Sequence, residues 1–416
     1  MKAGEALGPR VSYREALAWL FNTQRFGIKL GLENSQRLFH ALGVPAPNER
    51  IIHVAGTNGK GSVCALLDSI CRAAGYRTAL FTSPHLVTFR ERIKVDGTLI
   101  SEEEAALGLT MIRELVADGD PHPTFFEITT ALALDHFRNA SADIVVLETG
   151  MGGRLDATNA ADPIVSVITP IDYDHQKWLG QSLTEIAAEK AGIIKPNTPV
   201  VSALQPDEAA AVIRARAAEC AAPLDFVRQP FDRFPIALRG THQKQNAALA
   251  LSALHTAGIA IDDAALERGL ASVVWPARFQ RWDVRTIIDG AHNPAGARIL
   301  AQTWRETFGE RRATVLLAVL QDKDVAGICT ALGPIMQRAL LPSIRSERAL
   351  PPEELRLAIS DQLPGVPVAV LPSIAAAWEE AQRDATPILI CGSLHFAGEA
   401  LAFLRGQSAA FEECRQ

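Results

Sequence analysis

No apolar run in the 416-residue sequence approaches the roughly 20 residues that a membrane-crossing helix needs. The opening stretch, MKAGEALGPRVSYREALAWLF, has neither a long apolar core nor a small-residue cleavage site, so no secretion signal is expected and a cytoplasmic location is. The six cysteines, at 64, 71, 220, 329, 391 and 414, form no CxxC pair and no His–Cys cluster at zinc-ligand spacing. That excludes a disulfide framework and points to reduced structural thiols. Positive charge is also short: 41 Lys and Arg against 47 Asp and Glu give a net charge of -6. Nothing draws nucleic acid from a distance, so any polyanionic ligand must be held locally, by backbone amides, a lysine, an arginine or a metal. A low-complexity linker and a repeat at solenoid period are absent too.

What remains is a soluble composition, 48% hydrophobic and 21% charged, on a chain long enough for more than one core. Apolar, β-branched stretches at 51–55, 144–147, 164–168 and 199–202 alternate with helix-period segments at 62–74, 102–116, 127–137 and 183–191. This is the rhythm of a parallel sheet covered by helices on both faces. A second, shorter alternation starts near Arg285 and runs through 314–318, 339–341, 366–370 and 388–391. The expectation is two α/β domains, 1–283 and 284–416.

The strongest local signal is HVAGTNGKGS at 53–62, after a strand and at the start of a helix. Asn58, Gly59, Gly61 and Ser62 would form a phosphate cradle: glycines permit a tight turn, amides and the helix N-terminus face an anion, and Lys60 reaches the outer phosphates. The glycine between Lys60 and Ser62 departs from the usual GxxxxGK[ST] spacing. A second cluster, VLETGMGGRLDATN at 146–159, puts Glu148 at a strand's carboxyl end, where open α/β sheets bind ligands. A carboxylate there suits magnesium, although taken alone it is more often a capping or salt-bridging residue.

Further polar groups gather at other strand ends. TPIDYDH at 169–175 carries His175, and EKAGIIK at 189–195 carries Lys190, each of which alone reads as a structural or solvated residue. HQKQNA at 242–247 holds Asn246, and PARFQ at 276–280 holds Arg278, whose fixed fork suits a phosphate or an aromatic face. IDGAHNP at 288–294 sets Asp289 and His292 at the edge of the second sheet.

In this order, with LGLENSQRLFHALG at 30–43, TSPHL at 82–86, DKD at 322–324 and CGSLH at 391–395, these segments closely resemble the folylpolyglutamate synthase and dihydrofolate synthase family, a branch of the Mur-type ligases. The likeness spans nearly the whole chain. It implies a P-loop-like ATPase domain with a parallel-rich sheet, followed by a smaller Rossmann-like domain, with ATP and substrate between them. It further implies that Lys60 and its neighbours hold the triphosphate, that Ser62, Ser83 and Glu148 place one magnesium, and that His175 serves a second. Lys190 matches a lysine that is carbamylated in many members. Asn246 matches an adenine-side contact, Arg278 and His292 phosphate contacts, Asp289 a ribose-side contact, and Ser393 a position near the incoming glutamate.

The activity implied is ATP-dependent addition of L-glutamate to a pteroate or folate, through an acyl phosphate, by a monomer. The segment at 124–127, with Phe126, and the intact RLDATN block resemble the bifunctional bacterial type, in which Asp156 would contact the pterin. AVLQ at 318–321, where relatives often carry glycine, departs from the pattern and bears on the interdomain surface. A Mur-type ligase for a cell-wall precursor would need a further domain ahead of the cradle, where only about 50 residues stand. A non-ligating nucleotide switch would have no use for the polar cluster of the second domain, and a small-molecule kinase would not require His175, Lys190 and His292 together.

Overall fold

The computed structural model describes residues 11–26, 31–46, 48–117 and 121–413. Residues 1–10 of the leader reading, Leu30 of the 30–43 segment and Cys414 lie outside them. Two sheets organise the chain. The first is built from β1 (Arg50–Ala55), β2 (Thr78–Phe81), β3 (Ile93–Val95), β4 (Thr98–Leu99), β5 (Ile144–Glu148), β6 (Val165–Ile168), β7 (Val200–Ala203) and β8 (Leu224–Val227). They lie in the order β4-β3-β2-β5-β1-β6-β7-β8. From β2 to β8 every pair is parallel, while β3 and β4 turn back as an antiparallel edge.

Period-2 alternation sorts the central strand between two cores. Ile52 and Val54 of β1 face the helices Lys60–Ala73, His242–Thr256 and Asp263–Ser272. Ile51 packs with the helices Tyr13–Asn22, Glu33–Leu42, Glu102–Leu115 and Phe125–Asn139 on the opposite face. Helices covering both faces explain why these strands read as continuous apolar runs. Several helices begin at capping boxes, among them Ser101 with Glu104, Thr124 with Glu127 and Ser182 with Glu185.

The second sheet comprises β9 (Gln280–Arg281), β10 (Thr286–Ile288), β11 (Ala313–Leu317), β12 (Met336–Pro342), β13 (Val368–Leu371) and β14 (Ile388–Cys391), ordered β13-β12-β11-β14-β10-β9. All pairs are parallel except β9 with β10, so this sheet begins at Gln280, ahead of the strand rhythm that resumes at Arg285. The architecture is α/β throughout, as the alternation predicts. No described helix is long and apolar enough to cross a membrane.

The domains meet along a packed seam. Leu86 and Val87 of the first join Phe396, Ala397 and Ala400 of the helix Leu394–Leu404. A Cβ at Gly398 would stand 2.0 Å from Leu86 O, so only glycine admits this approach. Beyond that helix the chain returns to the first domain. The Glu412 carboxylate accepts from Phe89 N at 2.5 Å, Thr88 Oγ1 at 3.1 Å and Tyr13 Oη at 3.1 Å, and its amide donates to Val87 O at 2.8 Å.

Candidate active site

In each sheet the polar motifs follow the carboxyl ends of the central strands, next to the points where strand order reverses. After β1 the chain turns sharply at Gly56, where φ is 145° and a Cβ would fall 1.9 Å from Thr169 Oγ1. Gly59, at φ 91°, caps the helix Lys60–Ala73 without a side-chain hydrogen bond. The first amides of that helix, at Lys60, Gly61 and Ser62, have no carbonyl a turn earlier to bind, and their partial positive charge faces the crevice. Such a cradle suits an anionic phosphate.

Two lysines converge on this turn. Lys60 Nζ donates to Gly56 O at 3.2 Å, and Lys190 Nζ donates to the same oxygen at 2.8 Å. Lys190 is 4% exposed, and burial, then the neighbouring charge of Lys60, lowers its pKa to about 7. Gln243 adds a support that the sequence does not reveal. Its Nε2 donates to Ser62 Oγ at 3.4 Å and its Oε1 accepts from Asn246 Nδ2 at 2.9 Å. Asn246 thereby lies against Gly59, where a Cβ would meet Asn246 Oδ1 at 2.9 Å.

Glu148, at the end of β5, is buried and accepts from Ser83 N at 3.1 Å. Burial raises its pKa, while Lys60, the Ser83 amide and Arg278 oppose the rise. No described group of three or more His, Cys, Asp or Glu is arranged to hold a metal. A divalent ion beside Glu148 would therefore complete its shell with hydroxyls such as Ser62 and Ser83 and with phosphate oxygens, a hard-oxygen set that fits magnesium.

Asp174 is the residue on which both domains close, and sequence reasoning gave it no role. Its Oδ1 accepts from Lys323 Nζ at 2.6 Å, and its Oδ2 lies 3.3 Å from Asn293 Nδ2 and 3.4 Å from His292 Nε2. Burial would raise this carboxyl, but the hydrogen bond and charge of His292, with His175 and Lys323, hold it well below the usual carboxylate range. His292 Nδ1 donates to Gly290 O at 2.8 Å, which turns Nε2 toward Asp174. Asn293 Nδ2 also reaches Asn58 Oδ1 at 3.1 Å, joining the second domain to the cradle. His175 follows in a left-handed conformation, φ 51°, and burial lowers its pKa to about 4. The signal in the sequence was the DKD motif, which holds Lys323.

On the second sheet, Arg278 sits between two left-handed residues, Ala277 and Phe279, at φ 55° and 44°. A Cβ at Gly290 would come within 2.9 Å of its Nη1. Asp289 accepts from Phe279 N at 2.6 Å and from Ala291 N at 2.8 Å, and burial raises its pKa against the charge of Arg278. The Ser393 hydroxyl caps its own helix, accepting from Phe396 N at 3.0 Å, which leaves its O–H as a donor. Segment 318–321 bonds within its own domain, with Gln321 N donating to Arg348 O at 2.9 Å.

Phe126 and Asp156 gather around Gly150, with the Asp156 charge also acting on Lys190 of the cradle. A Cβ at Gly150 would lie 2.6 Å from Phe126 Cζ, and Phe126 tilts against Phe81 at 5.7 Å. The Asp156 carboxylate accepts from the chain's own donors: Gly150 N at 2.9 Å, Met151 N at 3.0 Å, Thr158 N at 3.1 Å and Thr158 Oγ1 at 2.5 Å.

Comparison with known proteins matches residues 54–222 to the Mur ligase middle domain and 277–394 to the Mur ligase, glutamate ligase domain. A dihydrofolate synthase/folylpolyglutamate synthase of Bacillus subtilis is 36% identical, across 93% of this chain and 98% of the relative. The chain belongs to the dihydrofolate synthase/folylpolyglutamate synthase family. Among solved structures, E. coli FolC in complex with DHPP and ADP superposes on this family member with a TM-score of 0.85 at 33% identity, over 94% of this chain and 98% of that one. A bifunctional folylpolyglutamate synthase/dihydrofolate synthase of Yersinia pestis, complexed with AMPPNP and a Mn ion, gives a TM-score of 0.86 at 31% identity, over 96% of this chain and all of that one.

Proposed function

We propose that this protein joins L-glutamate to dihydropteroate and to reduced folates in an ATP-dependent reaction, as a bifunctional dihydrofolate synthase and folylpolyglutamate synthase. The observation that carries the reading is the facing of two strand-end clusters, with His292, Asn293 and Lys323 of one domain gripping Asp174 and Asn58 beside the phosphate cradle of the other. A cleft between two domains suits a reaction that must bring a nucleotide and two further substrates together and keep out water.

In the first step a substrate carboxylate oxygen bonds to the γ-phosphorus of ATP, and ADP leaves. In the second, the glutamate amine attacks the acyl carbon, phosphate departs and the amine surrenders a proton. Lys60 and the amides at Gly59, Gly61 and Ser62 hold the triphosphate. Arg278 and His292 meet its outer charge from the second domain, and Asn246 and Asp289 serve the nucleoside. Glu148, Ser62 and Ser83 would hold one divalent ion and His175 a second; such ions neutralise developing phosphate charge when bound. The depressed pKa of Lys190 supports its carbamylation, since only the neutral amine attacks carbon dioxide. Phe126 and Asp156 meet the pterin, and Ser393 lies toward the glutamate. The five described cysteines are buried free thiols, as a cytoplasmic enzyme would keep them.

The test is phosphate release by purified protein with ATP, magnesium and glutamate, using either 7,8-dihydropteroate or tetrahydrofolate as acceptor. Release with both supports the bifunctional reading, and release with one fixes the subtype. Release with neither overturns it.

A further inference from the structure

His53 is the one imidazole in the middle of the central strand, 1% exposed, and no catalytic step uses it. A polar ring in a sheet interior is normally satisfied on both sides, yet Nδ1 of His53 is buried with no hydrogen-bond partner. Its other nitrogen is 2.7 Å from Thr158 Oγ1, and Thr158 is fully buried. The same hydroxyl is 2.5 Å from Asp156 Oδ1.

The three groups fix one another's protons. Burial raises the Asp156 pKa, and the amides of Gly150, Met151 and Thr158, from which it accepts, oppose that rise and favour its ionised form. Its remaining neighbour, the Thr158 hydroxyl, must then point its hydrogen at Oδ1. The Thr158 oxygen is left only as an acceptor, so His53 must carry its proton on Nε2 and donate to it. Burial drives the His53 pKa down to about 3, in keeping with a neutral ring with a single proton. The bare Nδ1 is the free-energy cost of this arrangement. A leucine or isoleucine at 53 would avoid that cost and would lose the donor.

We infer that His53 is a positioning residue for the pterin side of the site, acting through Thr158 and Asp156 on the amides of Gly150 and Met151. The inference rests on the reading that the loop around Gly150 meets the pterin. Asp156 holds Gly150 against Phe126 while facing the pterin side itself, so its orientation sets the shape of the pocket. His53 in turn prevents the Thr158 hydroxyl from rotating away, from a position one layer deeper in the fold.

The experiment compares His53→Leu, His53→Gln, Thr158→Val and the His53→Leu/Thr158→Val double variant by steady-state kinetics, with thermal melting as a control. Gln offers an amide donor at about the reach of Nε2 and serves as the conservative rescue. His53→Leu should raise KM for dihydropteroate about tenfold, while KM for ATP stays within about twofold; a tenfold change corresponds to about 1.4 kcal/mol of binding. His53→Gln should recover most of the loss, and the double variant should be no worse than Thr158→Val alone, since both act through one hydroxyl. Equal rises in both KM values, additive effects in the double variant, or a lowered melting point with unchanged KM would overturn the inference. Wild-type protein inactive on any pterin acid would instead overturn the function proposed above, so the two failures are distinguishable.

Discussion

Lys60 and Lys190 share one carbonyl oxygen, and the charge of the first contributes to depressing the second. Two outcomes follow from that proximity. A lysine whose pKa is lowered to about 7 is protonated below that pH and free to react above it. Labelling with ¹³C-bicarbonate, read as a carbamate carbon resonance, should therefore grow between pH 6 and pH 8, and a signal absent in wild type or unchanged by Lys190→Arg would refute carbamylation there. Lys60→Ala should lower kcat/KM for ATP by about 10²- to 10³-fold, the usual consequence of removing one transition-state donor. It should also shift the labelling midpoint to higher pH, because a neighbouring positive charge has gone. Full ATP turnover by Lys60→Ala would remove the cradle reading.

At the scale of elements, glycine separates two kinds of constraint. Gly398 lies inside a helix, where alanine is ordinarily favoured by up to about 1 kcal/mol. The atom it would strike is a backbone oxygen, Leu86 O at 2.0 Å, which cannot swing aside. Gly398→Ala should thus destabilise by about 1–3 kcal/mol, the range for overpacking, seen as a lower denaturation midpoint. Gly365→Ala, with nothing within 4 Å, should be neutral and serves as the control.

The parallel strands β1, β5, β6 and β7 were legible because burial on both faces makes them unbroken apolar runs, whereas the four-residue β2 and the half-exposed edge strand β8 were not read. The β3–β4 edge was not legible either, since its strands are short, only Ile93 in them is buried, and its turn depends on left-handed Asp96 and Gly97. Motifs likewise gave the position of the cradle but not its partners. Nothing in the spacing tells that Thr158 joins Asp156 to a histidine 105 residues earlier, or that the Ser393 hydroxyl serves as a helix cap. The helix starting at Phe125 begins two residues before the periodicity suggests, because Thr124 and Glu127 form its capping box.

Across the whole molecule, Asp174 and Lys323 form an ion pair 2.6 Å long between domains, with side chains 9% and 7% exposed. Removing one member of a buried pair strands the other, at a cost of about 3–5 kcal/mol. Lys323→Met should lower stability on that scale, and adding Asp174→Leu should recover part of the loss; equal melting of wild type and Lys323→Met would contradict a buried interdomain pair. The carboxyl tail contributes a separate hold. Once Glu412 is seated on Thr88 and Phe89, the second domain is tethered to the first at both of its chain ends, between Ser272 and Gln280 and again beyond Leu404. A rigid body pinned at one point can rotate about any axis, whereas one pinned at two can turn only about the line that joins them. Any rotation of the second domain against the first would then be confined to a single angular coordinate, along which His292 and Lys323 would meet Asp174 on one arc.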